Sequence, residues 1–252
     1  MRIALLSDIH GNSIALDAVL ADVEQRGGAD HYWLLGDLVA MGHDPIGVIE
    51  RITALPNAAF VRGNTDRYVV TGERPHPSVE DAVARPELVP VIAEVSATFA
   101  WSAGCVSSGG WTDWLAGLPT EVRTTMPDGT RLLGVHASPG RDDGPGINAQ
   151  DRDADLAGRL AGCEADVVLA GHTHRPVDRS VNGTRAINLG SVSNPVAPDL
   201  RASYVLVDAD AAGHRIRHAR VAYDHDSVID ALESVGHPGR AWLIAHQRGE
   251  VA

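Results

Sequence analysis

The sequence predicts an α/β fold with a parallel core, and three observations predict it. Short apolar runs of strand length alternate with longer stretches whose apolar residues fall at helical spacing. Strand, helix, strand, helix, strand within the first 70 residues requires right-handed crossovers and parallel strands. Five of the strand-like runs then close on Asp, Asn or His, at the edge where parallel α/β folds hold their ligands.

Ile3 to Leu6 is the first apolar run. SIALDAVLADVEQR follows, with Ile14, Leu16, Val19, Leu20 and Val23 near helical spacing, and Gly27-Gly28 ends that helix. Tyr32 to Leu35 is the next strand, PIGVIERITAL the next helix with Pro45 at a first-turn position, and Ala58 to Val61 the third strand. From residue 71 to about 120 the pattern changes. GERPHPSVEDAVARPE reads as loop plus a short helix, PVIAEVSATFAWSAG as a helix with an apolar stripe, and WTDWLAGLP as another short helix. This helical insertion reads either as a cap near the site or as a surface decoration. Alternation resumes with TRLLGVHASP, a helix at about 151–162, and ADVVLAGHTH. Arg185 to Leu189, Ser203 to Asp208 and Arg215 to Ala222 are strand-like, and SVIDALESV reads as the last helix. With no repeat, low-complexity stretch or linker, residues 1–252 read as a single domain with a sheet-rich second half.

The chain has 252 residues, 44% of them hydrophobic, enough for a sizeable core, and a formal net charge of −12. That acidic balance argues against a nucleic-acid backbone as the resting partner, which needs clustered Lys and Arg. A small phosphorylated substrate stays compatible, because bound divalent cations would reverse the local potential. Cys105 and Cys163 make no disulfide framework and no metal-spaced pair, as expected of a reducing compartment. MRIALLSDIH runs straight into charged residues, and neither a secretory leader nor a membrane span is read in the chain. The expectation is a cytoplasmic location without a membrane partner; oligomeric state leaves no readable trace.

Seven side chains with metal-ligating chemistry close the strand-like runs: Asp8 and His10 in LLSDIHGN, Asp37 in WLLGDLV, Asn64 in FVRGNTD, His136 in LLGVHASP, and His172 and His174 in VVLAGHTH. Each fragment alone reads more simply as a turn, a helix cap or a structural histidine. Together, in order, they predict one shared site at one edge of one sheet, with oxygen and nitrogen ligands and no thiolate. Asp37 after Gly36 is the natural carboxylate to bridge two ions, and the two-residue spacing of Asp8 with His10, and of His172 with His174, lets each pair serve one centre. Asp66 is expected to orient a ligand histidine or cap the next helix. Arg62 and His43 are candidate substrate contacts, Arg62 competing with a surface salt bridge, and Asp44 lies beside His43. The remaining histidines, among them His31, His76, His214, His218, His237 and His246, read as structural. Tyr68, Trp101, Trp111 and Trp114 read first as packing residues and second as a stacking surface for a nucleobase.

The ordered set D-x-H, G-D, G-N-x-D, H and G-H-x-H resembles the calcineurin-like metallophosphoesterases over nearly the whole chain. INLGSVSNP, RASYVLVD and RVAYDHDSV are similar to the bacterial small-phosphoesterase branch that includes the retromer-subunit-like proteins. The resemblance implies a four-layer α/β/β/α sandwich with a dinuclear site at its edge. It implies one metal on Asp8, His10, Asp37 and His174, and a second on Asp37, Asn64, His136 and His172. Many family members carry G-N-H-D, whose histidine is thought to help the leaving group; here Thr65 stands in its place. A Thr hydroxyl is no general acid near pH 7, so diesters become more favourable than alkyl monoesters.

The expected chemistry is in-line attack on phosphorus by a metal-bridging hydroxide, with catalysis carried through Asp37, Asn64 and His136 and no protein nucleophile. Two divalent ions are expected, manganese first, with Fe, Zn, Ni or Co tolerated by the same ligands. Neutral imidazoles are needed to bind them, so activity should fall below about pH 6. The competing expectations are a non-catalytic scaffold and a phosphoprotein phosphatase.

Overall fold

Strand β1 (Arg2–Leu6) shows how the layers arise. Ile3 and Leu5 point to one face and Ala4 and Leu6 to the other, and all four are buried. A strand apolar on both faces needs cover on both sides. In the computed structural model, which describes residues 1–250, that cover is a second sheet on one side and helices on the other.

The chain continues through α1 (Ser13–Gln25), β2 (His31–Leu35), α2 (Pro45–Thr53), β3 (Ala58–Val61), α3 (Asn64–Thr71), α4 (Val79–Ala84), α5 (Val89–Ser108) and α6 (Thr112–Ala116). Then come β4 (Glu121–Thr125), β5 (Arg131–Val135), α7 (Asp153–Leu160), β6 (Val167–Ala170), β7 (Val177–Val181), β8 (Thr184–Asn188), β9 (Ala202–Asp210), β10 (Gly213–Val221), α8 (His225–Ser234) and α9 (Arg240–Gln247). One sheet has the order β10-β9-β1-β2-β3 and the other β4-β5-β6-β8-β7. In the first, β1, β2 and β3 are parallel and β9 and β10 antiparallel; in the second, β5, β6 and β8 are parallel with β4 and β7 antiparallel at the edges.

Three clusters of buried side chains fill the spaces between layers. Trp33, Leu35, Leu132, Leu169 and Ile187 pack between the two sheets. Leu16, Leu34, Ile49, Phe99 and Leu115 lie between the first sheet and its helices, and Leu133, Val168, Leu156 and Leu160 between the second sheet and α7. The architecture is therefore the α/β/β/α sandwich. The helices of the 71–120 insertion, through Phe99, Val106, Leu115 and Leu118, extend the outer layer over the first sheet.

Four elements differ from the sequence reading. Strands β4 and β7 sit at sheet edges, and their polar residues (EVRTT, VDRSV) leave them without an apolar signature. Helix α3 begins on the site residue Asn64 itself. SVIDALESV is not the last helix, because α9 follows it; its apolar residues Trp242, Leu243 and Ile244 are contiguous, and Leu243 is buried against the core. An 18-residue window within Pro86–Ser108 reaches a mean hydropathy of 1.4, long and apolar enough to cross a membrane by length and composition alone, although Phe99 and Val106 of the same helix pack into the core.

Candidate metal centre

Each residue of the anticipated site leaves the carboxyl end of a parallel strand. Asp8 and His10 follow β1, Asp37 follows β2, Asn64 follows β3, His136 follows β5, and His172 and His174 follow β6. The expectation of a single sheet is corrected: β1, β2 and β3 belong to one sheet and β5 and β6 to the other, so the cluster spans both. Backbone bonds lock the loops together. Asp8 N donates to Gly36 O at 3.0 Å, His10 N to Asp37 O at 2.9 Å, and Gly171 N to His136 O at 2.9 Å. Across the sheets, His172 N donates to the Asp8 carboxylate at 3.0 Å.

These loops are strained. Asp8 (φ 58°), His10 (48°), Asp37 (54°), His172 (70°) and His174 (58°) all adopt the left-handed conformation that L-residues avoid. Each costs on the order of 1–2 kcal/mol, a cost that persists where surrounding structure over-determines the backbone and that clusters at functional sites. What it achieves here is convergence. His174 Nε2 lies 3.2 Å from an Asp8 oxygen and 3.2 Å from His10 Nε2. His136 Nε2 lies 3.3 Å from Asp37 Oδ1 and 3.1 Å from Asn64 Oδ1, which is also 2.9 Å from His172 Nδ1. Asp8, His10 and His174, and likewise Asp8, Asp37 and His136, bring donor atoms within 4.8 Å of one another, close enough to hold a cation.

The far sides of three of the four imidazoles support that fit. His10 Nδ1 is 3.2 Å from Ala40 O, His136 Nδ1 2.8 Å from Leu35 O, and His172 Nε2 2.9 Å from Gly144 O. A ring nitrogen that donates to a backbone carbonyl leaves the other as a lone pair, and in all three that other nitrogen faces the cluster.

Electrostatics tell the same story. Burial would raise the Asp8 carboxyl, but His174 and His136 hold it below its ordinary value, and His136 and His10 do the same for Asp37 against its burial. Burial opposes charge on His136, yet Asp37 and Asp8 push it up to about 10; Asp8 likewise raises His174 against burial. Burial dominates at His10, lowered to about 4, and at His172, also lowered. Two buried carboxylates thus hold protons on neighbouring imidazoles, the arrangement a divalent cation would replace.

Flanking residues separate into structural and open roles. Asp66 does not orient a histidine. It accepts from Leu38 N at 2.8 Å and Gly63 N at 2.9 Å, capping α3 and tying it to the Asp37 loop; burial and the Asp37 charge raise it to about 6. Arg62 pairs with Asp142 at 2.9 Å, an acid shared with Arg67. His43 faces Ser13 Oγ at 3.4 Å, and Asp44 caps α2 through Gly47 N at 2.9 Å. Trp101 packs edge-on to His237, and Trp111 edge-on to Trp114. Ser191 and Ser193 were missed as site residues: Ser191 Oγ and Ser193 N both bond to Asp8 O, at 2.9 and 3.1 Å. The signal available was SVSN directly after the Leu189-Gly190 strand end.

The model of the calcineurin-like phosphoesterase superfamily domain matches residues 1–212. The chain belongs to the calcineurin-like phosphoesterases. Over 88% of both chains this phosphoesterase is 28% identical to an uncharacterised protein of Methanocaldococcus jannaschii. A symmetrical bis(5'-nucleosyl)-tetraphosphatase of Pectobacterium carotovorum is 32% identical over 94 residues, a stretch covering 34% of each chain. Among solved structures, a metallophosphoesterase from Sphaerobacter thermophilus has a TM-score of 0.76 at 25% identity, covering 100% of this phosphoesterase and 99% of its own chain. A hypothetical protein from Pyrococcus horikoshii has a TM-score of 0.80 at 22% identity with 98% of both chains covered, a likeness of fold.

Proposed function

We propose that this phosphoesterase hydrolyses phosphodiesters or nucleotide-type esters with two divalent cations, one held by Asp8, His10, Asp37 and His174 and the other by Asp37, Asn64, His136 and His172. One observation carries this reading: the Asp37 carboxylate stands between the two groups, Oδ2 at 3.8 Å from His10 Nε2 and Oδ1 at 3.3 Å from His136 Nε2. A carboxylate with one oxygen toward each half is what a shared ligand requires. When bound, the cations would supply an activated water and neutralise charge developing at phosphorus. The nitrogen and oxygen donor set suits manganese, and Fe, Zn, Ni or Co share the same preference. The chain's own residues orient and hold. Asp8 and Asp37 fix the loops through backbone contacts, and Asn64 offers a neutral oxygen beside two imidazoles.

Thr65 shapes the substrate preference. Its backbone N donates to Asp37 Oδ1 at 2.9 Å, and its hydroxyl cannot protonate a departing alkoxide near neutral pH. Esters whose leaving group needs no proton are favoured, which supports diesters and phosphate leaving groups. The partial likeness to a bis(5'-nucleosyl)-tetraphosphatase supports the same class.

The test is hydrolysis of bis-p-nitrophenyl phosphate beside p-nitrophenyl phosphate, using chelator-stripped protein with each divalent metal added back. Metal-dependent turnover favouring the diester is expected. Both dye esters release p-nitrophenolate without needing a proton, so Thr65 is tested on an alkyl leaving group: Thr65→His is expected to raise hydrolysis of methyl phosphate relative to p-nitrophenyl phosphate. An unchanged ratio in that variant removes the Thr65 reasoning; no turnover with any metal removes the esterase.

A further inference from the structure

We propose that the apolar cavity beside Asn64 and Thr65 is a subsite for an aromatic ester group of the substrate, an inference that rests on the phosphoesterase reading above and adds the class of group the ester carries. The cavity holds about 390 Å³ and lies between α3, α5 and α9. Tyr68, Val95, Phe99 and Trp242 form much of its wall, and Asn64 and Thr65 close its inner end.

Three features assign its occupant. The first is continuity: Asn64 both lines the cavity and lies 3.1 Å from His136 and 2.9 Å from His172, so the cavity adjoins the metal cluster through a shared residue. The second is charge. Among the described residues, Glu94 is the sole ionisable lining residue besides Tyr68, and the wall presents no cation, so the phosphate itself is excluded and an uncharged group is accepted. The third is an unmet hydrogen bond at the inner end. Thr65 is 6% exposed, and its hydroxyl oxygen has no partner among the described residues. A buried hydroxyl is seldom left unpaired, and, turned about its side-chain torsion toward the cavity, it would donate to an ester oxygen there.

The walls favour a flat ring. Tyr68 and Phe99 meet edge to face with centroids 5.7 Å apart, and Trp242, 45% exposed, offers an indole at the outer side. Val91, 46% exposed, lines the same outer side. Large apolar side chains left in water around a pocket are the usual mark of a binding surface. The helical insertion then has a definite role: α5 supplies Val91, Val95 and Phe99, and so sets which ester the metal centre meets.

The experiment is calorimetric binding of phenylphosphonate and methylphosphonate to the Mn(II)-loaded protein. Burial of a phenyl ring predicts phenylphosphonate binding tighter by on the order of tenfold or more. Val91→Trp, which narrows the cavity from its exposed side, is expected to bring the ratio close to one. Equal affinities in the wild type, undetectable binding of both, or an unchanged ratio in Val91→Trp would overturn the subsite. Because the ratio is read from binding, it separates from turnover. A phenyl preference without hydrolysis of either dye ester sustains the subsite and sinks the esterase; hydrolysis with equal affinities does the reverse.

Discussion

At Asp37 a left-handed backbone (φ 54°) turns one carboxylate so that its oxygens face different imidazoles, and those imidazoles hold it ionised against its burial. Asp37→Asn keeps the shape but removes the charge that both halves of the cluster share. His172→Ala removes one imidazole and leaves Asn64 Oδ1 with His136 alone. Both variants are expected to lower metal content and rate together, by roughly tenfold or more, since loss even of a supporting contact around a metal costs 10–100-fold. Elemental analysis beside diester hydrolysis checks this, and normal content and rate in both variants would dismantle the site. Arg62 teaches a different lesson at this scale. Sequence places it beside Asn64, but only the fold shows Asp142 engaging its guanidinium.

The elements that carry the site are held by close backbone approaches. Gly36 (φ 85°) ends β2, and a Cβ there would lie 2.6 Å from both Gly63 N and His136 Nδ1. Gly72 (φ 82°) ends α3 in open space, with no atom of the described residues within 4 Å of a Cβ built there. Gly72→Ala is therefore expected to cost about 1 kcal/mol, the conformational penalty alone, and Gly36→Ala at least about 2 kcal/mol more because two loops must part. Thermal unfolding of the two variants measures the difference; equal losses would mean that the loops yield freely. Legibility in the sequence follows the same physics. Strands β1, β2, β5 and β6, largely buried, and the edge strand β3, in which Val61 is buried, announced themselves as apolar runs leading into the candidate site residues. Edge strands β4 and β7 bury little and were silent. Helix α3 was signalled only by Asp66, expected to orient a ligand histidine or cap the next helix, and Asp66 is the cap; Asn64 and Thr65 read as ligand and turn. The residues that gather in the cluster were legible, whereas their division between two sheets was not, because pairing between distant strands leaves no local pattern.

Across the whole molecule, the carboxyl-terminal helices are fastened to the insertion through a buried histidine. His237 Nδ1 accepts from Gly239 N at 3.2 Å, its Nε2 has no partner among the described residues, and its ring meets Trp101 of α5 with centroids 4.7 Å apart. Burial lowers its pKa from 6.5 to about 4, with His43 and Arg240 pushing the same way. The fold therefore favours the neutral ring. Stability from this site is present above the unfolded value of 6.5 and is lost as pH falls toward 4. At pH 5 the loss approaches about 2 kcal/mol. His237→Asn, whose carbonyl oxygen can take the Gly239 contact, is expected to flatten the fall in stability between pH 7 and pH 5. Denaturant titrations at both pH values would show it, and parallel falls in the two proteins would refute the assignment.

The division of the cluster between two sheets has one more consequence. Asp8, His10, Asp37 and Asn64 ride on one sheet, and His136, His172 and His174 on the other. Neither sheet carries the whole cluster, so a centre built on it would behave as a coincidence detector that exists only while both sheets are seated. A cation held there would act as a rivet through the sandwich, and its release would sound an early alarm for loosening of the two-sheet interface.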